Sequence, residues 1–175
     1  MLLDGLPTSP VEPLSSILRE QLRAIDPITR NAGGVRYPCA LRLIDGTFLE
    51  RVFLVPFSSS KQPTVDSNWV PIREIAAILP SPSRLPAGFA SQILASGESG
   101  PGYFVFTLVF SWWRRRQYLT SMIDFVKYPP LTGPSSVKAV LPGVGRFSRN
   151  QRLNDSKVHF CAFALPEPET TSPST

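Results

Sequence analysis

The chain has 175 residues, 42% of them apolar and 18% charged, with a formal net charge of +5; that is enough for one packed domain and too apolar for a disordered chain. Nineteen prolines disfavour long helices and long central strands, and two widely spaced cysteines give neither a disulfide framework nor a thiolate metal spacing. No run reaches the ~18–20 apolar residues of a bilayer span, and MLLDGLPTSP lacks the basic and apolar regions of a secretory signal, so the chain is expected in the cytoplasm and away from membranes.

Residues 1–10 are expected to be flexible. Val11, Leu14, Leu18, Leu22 and Ile25 recur at intervals of three and four, which predicts a helix over 11–25 with one apolar face. Ser9 and Glu12 have capping-box spacing and Pro10 suits the first helical position, although Pro13 moves the start toward Ser15. Asp26-Pro27 ends the helix, because a residue before proline avoids the α region. YPCALRLIDGTFLERVFLVPF then reads as a β-hairpin turning on Asp45-Gly46, with a type I′ turn expected. Residues 57–68 read as a polar loop. WVPIREIAAIL predicts a strand, or a strand entering a short helical turn.

Residues 86–96 predict a short connecting helix with Phe89, Ile93 and Leu94 inward and Gly97 at its C-terminal cap. YFVFTLVF predicts a buried strand, SWWRRR a turn and QYLTSMIDFVKY the return. Phe104, Phe106, Leu108 and Phe110 form the bulkier face, so strand alternation predicts Trp112 buried and Trp113 exposed. VHFCAFAL suggests an edge strand within a polar tail, 150–175, that is expected to be disordered from about 166.

IAAILPSPSR (75–84) aligns with VKAVLPGVGR (137–146) through Ala77 and Ala139, Leu79-Pro80 and Leu141-Pro142, and Arg84 and Arg146. This suggests an internal duplication with units 37–84 and 103–146. The expected fold is α+β and mostly β: an N-terminal helix and two β-hairpin units in one twisted sheet or small barrel, joined by a short helix, as a single globular domain over 11–149. The order helix–hairpin–hairpin resembles small Sm-like or SH3-like barrels.

Most catalytic chemistries find no residues to carry them. GESGPG leads into a strand and has no lysine, unlike a phosphate loop. His159 is the single histidine, so a His-dependent triad would rest on it alone, and no metal-ligand cluster is visible. Arg19 and Arg23 have the RxxxR spacing of the PilZ family, but the Asp/Asn-x-Ser-x-x-Gly signature is missing and both fit the solvent face of the first helix. A hydrolase would have to use Glu98-Ser99, beside the glycines.

Between Pro101 and Lys157 lie nine basic and two acidic residues, which favours an anionic partner. The aromatic and basic tip holds the candidate contact residues Trp113, Arg114, Arg115 and Arg116. Trp and Arg are hot-spot residue types, and they also stack bases and hold phosphates. The residues favour a non-enzymatic binding module for another protein, with no cofactor. The alternative is a nucleic-acid-binding β-barrel using the basic half, and the third option is a hydrolase.

Overall fold

The computed structural model describes residues 11–30, 34–57, 68–143 and 157–165. The expected flexible start at 1–10, most of the loop at 57–68, Arg146 and the tail from 166 lie outside the described residues, as do Ser9 and Pro10 of the proposed cap.

Helix α1 spans Ser16–Arg23, shorter than the periodicity predicts. Pro13 precedes it, and Ser15 is its N-cap, its hydroxyl accepting from Leu18 N–H at 3.3 Å. Of the five residues read as its apolar face, Leu18 and Leu22 in the helix and Leu14 and Ile25 flanking it are buried, while Val11 is half-buried. Strands β1 (Ile28–Arg30), β2 (Gly34–Leu43), β3 (Phe48–Phe57) and β4 (Ile75–Leu79) follow, with a 3₁₀ turn at Ile72–Glu74 ahead of β4. The segment 69–79 thus contains the expected strand, with the short turn ahead of it and not after it as the alternative reading had it. Helix α2 spans Ala87–Ala95, then come β5 (Phe104–Phe110), β6 (Arg115–Thr120), β7 (Val137–Pro142) and β8 (His159–Ala164). A 3₁₀ turn at Pro134–Ser136 precedes β7.

The fold is α+β and mostly β, but the described strands form two sheets, and neither closes into a barrel among the described residues. One sheet has five strands in the order β1-β2-β3-β8, with β4 also paired to β2; the other has three in the order β6-β5-β7. Among these strands all pairings are antiparallel except β3 with β8, which is parallel. Helix α1 packs on the first sheet beside β4, where Gln21 Oε1 accepts from Ile78 N–H at 2.8 Å. This satisfies a donor on that strand and ties the helix to it. The first core gathers the helix leucines with Cys39, Leu41, Val52, Leu54, Ile78 and Phe163. The second gathers Ala90 and Ile93 of α2 with Phe104, Phe106, Leu108, Phe110, Tyr118 and Val140. Phe89 and Leu94 are only partly buried against it.

The two sheets are joined by Phe53 and Phe125, both buried, with ring centroids 5.0 Å apart. The segment leaving β4 adds backbone bonds: Leu85 N–H donates to Asp124 O at 2.9 Å and Val126 N–H to Ser83 O at 2.8 Å. Arg84 reaches back to Pro38 O at 3.0 Å.

Candidate functional site

The β5–β6 hairpin pairs Phe104 with Thr120, Phe106 with Tyr118, Leu108 with Arg116 and Val109 with Arg115. Phe110 N–H closes the end by donating to Arg114 O at 2.8 Å. Trp112 and Trp113 lie beyond that bond, with φ of 67° and 59°. Two successive left-handed residues make the tight reversal that suits a twisted hairpin, and such positions usually fall to Asn and Gly. Here both hold tryptophan, the bulkiest side chain.

The expected burial of Trp112 is overturned: it is 91% exposed and Trp113 is 83% exposed. The alternation that predicted an inward Trp112 stops at Phe110, because β5 ends there and the backbone leaves the extended region. The face assignment holds: Phe104, Phe106, Leu108 and Phe110 all enter the second core. Val105 and Val109 on the other face are buried too, at 5% and 7% exposure, on the central strand of the sheet.

Arg114, Arg115 and Arg116 are all exposed. They do not form one patch. Arg115 stands opposite Val109 and Arg116 opposite Leu108, so the two guanidinium groups leave opposite faces of the sheet. Arg116 lies 5.8 Å from the centroid of the Tyr118 ring, within cation–π range. The tip therefore presents two adjacent indoles at its apex, with cations spread below them on both sides.

The other sequence candidates serve the fold. Glu98 accepts from Gly102 N–H at 3.0 Å and Ser99 Oγ from Val105 N–H at 2.9 Å; both side chains hold their own loop. Gly100 is needed because a β-carbon there would overlap the Tyr103 ring, not for a turn dihedral. Arg23 pairs with Glu20 at 2.7 Å on the exposed side of α1. Cys39 and Cys161 are buried free thiols, and burial pushes each up to about 12, so neither is a thiolate near neutral pH. Burial, then Lys157, holds His159 below the ordinary imidazole range. Among the described residues no group of three His, Cys, Asp or Glu is placed to hold a metal ion, and no helix is long and apolar enough to cross a membrane.

A cleft of about 690 Å³ lies where β3, the segment after β4, the 127–132 loop and the start of β8 meet. The sequence gives no local sign of it, since its residues come from four separate stretches. No protein-family model, curated protein or solved structure matches the chain.

Proposed function

We propose that this is a non-enzymatic binding protein whose contact surface is the β5–β6 tip, with Trp112 and Trp113 as apolar anchors and Arg114, Arg115 and Arg116 as their polar surround, and that its partner is a protein. The observation that carries this is the pair of exposed indoles at positive φ. A left-handed conformation costs a non-glycine residue roughly 1–2 kcal/mol, and exposure returns nothing to the fold. Strain of this kind is found at ligand clamps and recognition loops. Indoles ringed by arginine are the residue types that dominate protein interfaces.

The split of the arginines between two sheet faces argues for a protein over a nucleic acid, whose backbone needs a continuous basic track. The free buried thiols suit a reducing compartment such as the cytoplasm.

We also propose that the two sheets descend from one duplicated unit of helix, hairpin, 3₁₀ turn and strand. In support, Leu43, Arg42, Leu41 and Ala40 pair with Ile75, Ala77, Ile78 and Leu79, as Phe110, Val109, Leu108 and Thr107 pair with Val137, Ala139, Val140 and Leu141. A register shift falls at the same place in both sets. The burial patterns of β4 and β7 also begin alike.

Affinity capture from native cells at moderate salt, comparing wild type with Trp112→Asn/Trp113→Gly, tests the partner. A protein retained by wild type and lost by the variant is expected. Recovery of nuclease-sensitive material, with affinity falling steeply in salt, would replace the protein with nucleic acid.

A further inference from the structure

The cleft beside β3 shares no lining residue with the tip. Strand β3 carries a β-bulge at its mouth. Cys39 pairs with Val52 and Leu41 with Leu49, so Ala40 alone faces both Glu50 and Arg51. A bulge re-aims side chains, and here Glu50 and Arg51 both line the cleft.

The Glu50 carboxylate is tied to the wall by the Ser83 hydroxyl, which donates to it. Ser83 itself is held through its backbone carbonyl, which accepts from Val126 N–H at 2.8 Å. Arg51 is different. It is buried to 7% exposure, and among the described residues no carboxylate forms an ion pair with it. Burial works against its charge and the neighbouring Glu50 only partly supports it. A buried guanidinium is costly unless something anionic meets it. Lys127 and Lys157 line the same cleft and are exposed, so their charges converge on the space that Arg51 borders.

The far lip is apolar: Pro129, Pro130 and Leu131 line it. Leu131 has φ of 62° and is fully exposed. Trp112, Trp113 and Leu131 are the non-glycine residues at positive φ among those described; all three are large exposed apolar side chains. The volume lies within the ~300–1,000 Å³ of small-molecule sites.

We infer that this cleft binds a phosphorylated small organic molecule, its phosphate held by Arg51, Lys127 and Lys157 and its apolar part laid against the Pro129–Leu131 lip. Arginine offers a planar fork to two phosphate oxygens, and the lysines add point charges.

The test is an amide NMR titration of the full chain with phenyl phosphate and, separately, with inorganic phosphate. Saturable shifts are expected at residues 50–51, 83, 127–131 and 157–159, with phenyl phosphate binding about tenfold more tightly than inorganic phosphate, the effect of burying one apolar ring face. Lys127→Gln/Lys157→Gln changes two exposed residues and leaves the fold intact; it should weaken phenyl phosphate binding about tenfold or more. Arg114→Gln/Arg115→Gln/Arg116→Gln should leave it unchanged. Equal affinity for the two probes would overturn the organic ligand. Shifts centred on 112–116, shifts that do not saturate, or full binding by the double lysine variant would overturn the site.

Discussion

The β2–β3 hairpin reverses through Ile44, Asp45 and Gly46, with Leu43 O accepting from Gly46 N–H at 3.0 Å and Leu43 N–H donating to Thr47 O at 2.8 Å. The β5–β6 hairpin reverses through Ser111, Trp112 and Trp113 and is closed the same way, by Phe110 N–H donating to Arg114 O at 2.8 Å. At the first tip the left-handed residue is Gly46, with φ of 89°, and the Asp45 carboxylate accepts from Thr47 N–H at 2.8 Å. At the second tip both left-handed residues are tryptophans. The first tip is made of residues that lower the energy of its own bend. The second resists its bend and relies on the strands below to hold it. The proposed contact role accounts for tryptophans at this tip, where asparagine and glycine would serve the reversal better.

That contrast depends first on both hairpins being anchored alike. Leu41 and Leu108 are completely buried and occupy matching pairings with Ile78 and Val140. Leu41→Ala and Leu108→Ala should each cost about 2–5 kcal/mol in chemical denaturation. A loss below about 1 kcal/mol at Leu108 would mean that the strained tip stands on a loose strand, and the contrast would fail.

The tips themselves should then respond with opposite signs. Trp112→Asn/Trp113→Gly should stabilise the protein by about 1–3 kcal/mol, since it removes two strained residues. Gly46→Ala should destabilise it by about 1 kcal/mol through φ alone, because no neighbouring atom would meet the added carbon. Changes of the same sign at both tips, read from denaturation midpoints, would remove the distinction.

The smallest effect is titration of the first tip. Hydrogen bonds from the Thr47 backbone N–H and then its side chain hold Asp45 below the ordinary carboxylate range. A depressed folded-state pKa adds stability above the unfolded value of about 3.9, and that stability is lost as pH falls through the folded value. The melting-temperature gap between wild type and Asp45→Asn should therefore narrow below about pH 4. A gap that stays constant on acidification would leave the carboxylate without a part in the turn.

The same pair of tips marks how far the sequence can be read. Leu14, Leu18, Leu22 and Ile25 gave α1's buried face because helical periodicity is local. Asp45-Gly46 placed the first turn correctly but not its type: Asp45 keeps negative φ, and the reversal is a three-residue loop closed by Gly46. The tryptophans gave no turn signal, because they oppose the backbone they occupy. Phe104, Phe106, Leu108 and Phe110 were legible as the core face from bulk alone, while the burial of Val105 and Val109 opposite them goes with the central place of β5, which the strand's own sequence does not encode. The bulge at Glu50-Arg51 was invisible, since it exists only in the register against β2. The cleft it opens depends on four stretches meeting, which no local pattern encodes.

Strand β8 has a consequence for the order of events on the ribosome. It lies alongside β3, parallel to it, pairing Val52 with His159 and Leu54 with Cys161, and it delivers Cys161 and Phe163 to the first core. Everything from α2 to β7, the whole second sheet and its helix, is translated between these two partners. The nascent chain must therefore carry the first sheet with β3 as an open edge while the second sheet is completed. The half that emerges first is the half that closes last, and through that interval its exposed edge is the part of the chain most open to chaperones and to wrong pairing.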